Sequence, residues 1–156
     1  MSATVRLEGF KELEAELAKL ERPATRKASA RRALKKAAEP MVGVAQGLAP
    51  RGDTLTLAPS ISIGTKLSKR QSGLHRKMFR NDRAAVEMFV GAGPLSSAHT
   101  QEFGTIHHAP QPFLRPAWDQ EQGPMLERLK AELWIDIQKA VARAERRAAR
   151  AAARGS

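Results

Sequence analysis

Hydrophobic and polar positions along this chain of 156 residues follow two different periods. In "FKELEAELAKLER", Phe10, Leu13, Leu17 and Leu20 recur every three or four residues between Glu and Lys, which predicts a helix closed by Pro23. In "TRKASARRALKKAAEPMVGVAQGLAP", the stripe runs through Ala30, Leu34, Ala37, Met41, Val44 and Leu48. This is a long helix, and Arg26, Lys27, Arg31, Arg32, Lys35 and Lys36 occupy its other faces. Pro40 lacks an amide hydrogen, so a kink or break is expected there, and Pro50 with Gly52 should end the helix. Leu126, Leu129, Leu133, Ile137, Ala140 and Ala144 mark a C-terminal helix beginning after Pro116, with Gly123 and Pro124 expected to interrupt its first turns.

Elsewhere the period shortens to two. Val5 and Leu7 alternate in "TVRLEGF", Ile61, Ile63, Thr65 and Leu67 alternate further on, and Val86, Met88 and Val90 alternate before Gly91 and Gly93. Each predicts a short strand. "LSSAHTQEF" reads as a short helix with Ser96 or Ser97 as its N-cap and Gly104 as its stop. Residues 66–83, "KLSKRQSGLHRKMFRNDR", are basic and poor in apolar residues, as in a mobile loop or long hairpin tip. The sum is an α+β fold: a small antiparallel β-sheet packed against a long, kinked helix of the N-terminal half and a long C-terminal helix. Residues 1–145 form one domain on this reading, and residues 146–156 form an Arg/Ala-rich tail, frayed unless a partner covers it.

Composition sharpens this. Apolar residues make up 42% of the chain but aromatics only 4%, so the core must be built mainly from Ala, Leu, Val, Ile and Met, which favours helices. The formal net charge is +11, which draws such a surface towards nucleic acid, an anionic surface or an acidic protein. With no cysteine, disulfides, thiolate catalysis and cysteine-based zinc sites are excluded. The opening "MSATVRLEGF" does not read as a signal or transit peptide, and no apolar run approaches the roughly 20 residues that span a bilayer. A protein made in the cytoplasm, with no membrane partner, is the expectation.

The densest stretch is "HTQEFGTIHHAPQPFLRP", residues 99–116, with three of the four histidines. His99, His107, His108 and Glu102 have no spacing that builds a metal site, because adjacent histidines diverge in extended chain and no HExxH pair exists. Ser60, Ser62, Ser96 and Ser97 lie in no nucleophile-elbow context, and there is no GxxxxGK[ST] or GxGxxG. Neither an enzyme nor a cofactor is expected. Lys66, Lys69, Arg70, His75, Arg76, Lys77, Arg80 and Arg83 could meet phosphates, as could Arg31, Arg32, Lys35 and Lys36. Without a helix-turn-helix or an aromatic stacking platform, such contact would be sequence-independent.

The order "AHTQEFGT", a short loop, then "HHAPQPFLRPAWD" resembles the signature of the gene-ten-like tail-component family of lambdoid and other siphophages, with relatives in gene transfer agents and prophages. His99, Glu102, Phe103, Gly104, Thr105, Pro110, Pro112, Phe113, Leu114, Arg115, Pro116 and Ala117 fill that pattern. Upstream, "VRLEGFKELEAELAKL" and "RRALKKAAEPMVGVAQGLAP" look like the family's opening strand–glycine–helix and its alanine-rich helix. "RGDTLTLAPSISIG" departs from the family's usual segment by lacking the glycine after threonine. The resemblance implies a structural virion protein of the neck. It would form a ring, commonly a hexamer, at the top of the tail and join tail to head around the DNA channel. Its partners would be copies of itself, a head-completion or stopper ring, and a tail terminator or tail tube, with non-specific contact to the genome. Phe103 and Phe113 are then expected to anchor the core or a subunit interface, and Arg115 to pair with Glu102 or with a neighbour.

Overall fold

The computed structural model describes residues 10–19, 22–52, 56–80 and 86–155. Helices hold 72% of these, so the sheet is a minor element of an α+β fold. The expected first strand around Val5 and Leu7 lies outside the described residues.

Helix α1 (Phe10–Ala18) and helix α2 (Pro23–Leu48) are separated by a short link. Pro23 opens α2 instead of merely closing α1, since a proline in the first turn loses no intrahelical bond and its φ is already helical. At the far end of the chain, α6 (Leu114–Arg154) runs back along α2. The pairing is antiparallel, because Arg32 meets Asp136 at 2.9 Å and Lys36 meets Glu132 at 3.0 Å, while Ala45 and Ala117 share a core cluster.

The buried face of α2 is Ser29, Ala33, Ala37, Ala38, Met41 and Ala45. It is turned from the expected stripe: Ala37 and Met41 belong to both, whereas Leu48 is exposed. The small residues face α6, whose buried set is Ala117, Leu133, Ile137 and Ala140. Alanines lose no side-chain entropy and let two backbones approach, so the seam selects small residues over large ones.

Neither Pro40 nor the Gly123–Pro124 pair breaks its helix. Pro40, Gly123 and Pro124 are all exposed, so each ring lies away from the seam and packing on the opposite face holds the helix together. The Arg/Ala-rich tail after residue 145, expected to fray unless a partner covers it, is helical with no cover of its own. Helix α6 continues to Arg154, fully exposed over residues 143–154, as the high helix propensity of Ala and Arg allows.

Beside the C-terminal half of α2 lies a single turn, α3 (Leu57–Ser60), and then β1 (Ser62–Gly64). It pairs antiparallel with β2 (Phe89–Gly91), in the register Ile63 to Val90. Both strands are shorter than the alternation predicts. Of the segment expected as a loop or hairpin tip, residues 66–80 are described and are not all loop: Lys69–Met78 forms helix α4. Ser68 accepts from the Gln71 backbone and Gln71 accepts from the Ser68 N–H, a reciprocal cap that satisfies two otherwise unpaired donors. Helix α5 (Ser96–Phe103) then leads into α6; its N-cap is Leu95, without a side-chain cap, not Ser96 or Ser97.

Two clusters make the core. Met41, Ala45, Leu57, Ile61, Phe113 and Ala117 tie the sheet to one end of the α2–α6 pair. Leu13, Ala33, Leu133 and Ile137 tie α1 to the other.

Candidate functional site

Residues 99–116 form the junction that turns α5 into α6. Gly104 ends α5 at φ +74°, with its N–H donating to the Thr100 carbonyl at 2.8 Å. A Cβ there would stand 2.9 Å from the His108 carbonyl oxygen and from Pro110 N and Cδ. Glycine is therefore required twice, for its φ and for the approach of the returning chain. That chain makes a tight turn: Thr105 N–H donates to the His108 carbonyl at 2.9 Å, and His107 N–H donates to Thr105 Oγ1 at 3.2 Å. Gln111 N–H then donates to the Gln101 carbonyl at 2.7 Å, docking the proline-rich strap on α5.

Glu102 organises the start of α6. Its side chain points inward, and the residue is only 4% exposed. Oε2 accepts from the N–H groups of Phe113 (2.8 Å) and Leu114 (2.9 Å), and Oε1 accepts from that of Arg115 (3.0 Å). These are the first donors of the helix, which no carbonyl within it can reach. The carboxylate thus caps a helix that begins twelve residues later in sequence, and its negative charge suits the positive end of the helix dipole. Burial pushes the Glu102 pKa up, but the three N–H bonds and the Arg115 guanidinium outweigh this and hold it below the ordinary carboxylate value.

Phe113, fully buried, plugs the core cluster at the sheet end. Leu114 packs beside it, Pro116 is half-buried in the first turn of α6, and Pro112 and Thr105 are exposed on the strap. Arg115 turns back over the junction, with Nε 3.5 Å from Glu102 Oε1 and its guanidinium 4.9 Å from the centre of the Phe103 ring. His99 meets that ring edge-on at 4.9 Å. Phe103 itself is 59% exposed, so it lies outside the core and differs in kind from Phe113. Ile106, at the tip of the turn, is 97% exposed, and Trp118 stands partly exposed one helical turn beyond Arg115. Exposed apolar side chains therefore stand on a junction whose buried carboxylate is fully bonded, while the side-chain oxygen of Gln101 is buried beside it without a hydrogen-bond partner.

The basic set is placed differently. Lys69, Arg70, Arg76 and Lys77 are exposed on α4, with Lys66 and Arg80 exposed on either side, while Arg83 lies outside the described residues. His75 is held between Phe79 and Phe89 and lies 3.7 Å from Glu87. On α2 the expected phosphate-facing set divides. Arg31 and Lys35 are exposed, but Arg32 and Lys36 pair with Asp136 and Glu132 across the seam. The Glu132 hydrogen bond and charge raise the Lys36 pKa.

Among the described residues, no group of His, Asp or Glu is arranged to hold a metal ion, and no helix is long and apolar enough to cross a membrane. Sequence reasoning missed the capping role of Glu102, which depends on a contact no local pattern encodes. It also missed α4, for which the Ser68/Gln71 spacing is a local signal.

A family model described as "Bacteriophage HK97-gp10, putative tail-component" matches residues 11–104. No curated protein and no solved structure matches the chain.

Proposed function

From the premise that this chain belongs to the HK97-gp10-like family of phage tail components, we propose that it is a non-enzymatic ring protein of the neck. It completes the tail and joins it to the head around the DNA channel, with six copies as the expected ring. The observation that carries this reading is the exposure of three large apolar side chains on or next to the junction, Phe103, Ile106 and Trp118. Large apolar side chains are displayed on a frame already fixed by Glu102 and Gly104, so little entropy remains to be lost when a neighbour covers them. Charge supports it too: at +11, the chain suits a position beside a polyanion and acidic neighbours.

The junction surface faces the proteins stacked above or below the ring, a head-completion or stopper ring on one side and a tail terminator or tail tube on the other. Replacing Ile106 and Trp118 together by Asp and Ala tests this. Folded protein should persist, while free heads and free tails accumulate in place of joined particles. Joined particles at the wild-type yield would refute the assignment.

A second reading, sequence-independent nucleic-acid binding, is favoured by one observation, the exposed basic side chains of α4. Its mark would be DNA retention that falls steeply with salt in a protein that stays a single copy.

A further inference from the structure

A positively charged chain carries one conspicuously acidic groove. It lies between α1 and α6, as two adjoining depressions of about 270 and 360 Å³ that share Trp134. Leu13, Ile137 and Val141 supply apolar floor. Four glutamates, Glu12, Glu16, Glu127 and Glu145, line it with one lysine, Lys130, and Glu16 is paired with Lys19 at its edge, so Glu12, Glu127 and Glu145 carry the acidic character. At the other end of the molecule, α4 presents the opposite character. Arg70, Leu74, Lys77 and Met78 fall at i, i+4, i+7 and i+8, one outward face. Leu74 is 59% exposed and Met78 79% exposed, while His75 on the opposite side packs on β2. A surface built only for phosphates gains nothing from exposed Leu and Met at its centre. An apolar groove rimmed by carboxylates uses both kinds of side chain.

We infer that α4 of one copy docks in the α1–α6 groove of the next, Leu74 and Met78 entering the depressions and Arg70 and Lys77 meeting Glu12 and Glu127. A chain cannot fill its own groove this way. Its α4 is anchored to the sheet beside Ala45, whereas the groove lies beside Ala33, roughly 18 Å away along α2 at 1.5 Å per residue. Two different, complementary surfaces at opposite ends make a head-to-tail contact, the type that builds a ring when its rotation closes and a filament when it does not. The inference rests on the ring reading and deepens it by naming the contact between copies.

The test uses the full chain. Sedimentation velocity over a concentration series compares wild type with Leu74→Asp/Met78→Asp, with Arg70→Glu/Lys77→Glu and with Glu12→Lys/Glu127→Lys. Each variant should keep its helix content and need at least tenfold more protein to associate. Combining the two charge reversals in one chain should restore association. In parallel, a labelled peptide of residues 68–80 should bind wild type saturably and lose at least tenfold in affinity for Glu12→Lys/Glu127→Lys. Variants that associate like wild type overturn the inference, as does a combined reversal that restores nothing. So does a wild type that stays a single copy and ignores the peptide, or α4 variants that lose only DNA retention. Rings that survive the α4 changes would defeat this contact and leave the ring reading standing. Particles lacking the chain, with peptide binding intact, would do the reverse.

Discussion

The junction at residues 99–116 and the connector at residues 66–80 are both rich in charge and punctuation, yet they are built in opposite ways. At the junction, one buried carboxylate takes three backbone N–H bonds, one glycine sits where no Cβ fits, and one phenylalanine is fully enclosed. In the connector, α4 has no buried residue, and its basic side chains stand in solvent. The difference teaches that density of chemical groups in a sequence does not locate chemistry. A charge whose partners are backbone donors is part of the frame; a charge left in water is available to something else.

Substitutions can break this contrast. The largest effect is expected at Phe113. Removing its ring leaves a cavity in the cluster that joins sheet to helices, and Phe113→Ala should cost about 3–5 kcal/mol in denaturant unfolding. A melting temperature within a degree of wild type would remove Phe113 from the frame. Next comes Gly104→Ala. Strain at a positive φ costs about 1–3 kcal/mol, and the 2.9 Å approach to His108 and Pro110 adds to it. The loss should be much greater than for Gly73→Ala on α4, where nothing stands within 4 Å.

Glu102→Gln should cost about 1.5–3 kcal/mol at neutral pH, the range for hydrogen bonds to a charged group. Acid sharpens this prediction. Because the folded-state pKa of Glu102 is lowered, its contribution is complete above the unfolded carboxylate pKa and is lost as pH falls through the lowered value. Wild type and Glu102→Gln should therefore converge in stability as acid is added; a gap that stays constant would show that charge is not what the cap uses. The smallest effect is expected on the connector. Replacing Lys69, Arg70, Arg76 and Lys77 by Gln should change stability by no more than about 0.5 kcal/mol, as for surface sites generally, yet weaken DNA retention or ring joining. Unchanged particle yield and stability would deny that helix a role.

Much of this frame was legible in the sequence. The helices at Leu13 and Leu17, along α2 and along α6 follow their 3.6-residue period, and Gly104 stops α5 as its position suggests. The Glu102–Arg115 pairing was legible as well, although Arg115 is the lesser partner of that carboxylate. What was not legible depends on partners far apart in the chain. The buried face of α2 rotates to Ala33 and Ala45 because α6 must come close, and no single-helix pattern contains α6. Continuity through Pro40 and Pro124 likewise comes from packing on the opposite face, which outweighs a local preference to break. Phe103 and Phe113 share a motif and a residue type, yet one is exposed and one enclosed, since only the fold decides which side of the strap faces inward.

The account turns on where the chain sits when assembly is complete. Electron microscopy of particles in which it carries a compact label at Gly155 answers this most directly. The account predicts a single labelled ring at the head-proximal end of the tail, between tail and capsid. Joined, infectious particles with no label at that position, or with none at all, would contradict it.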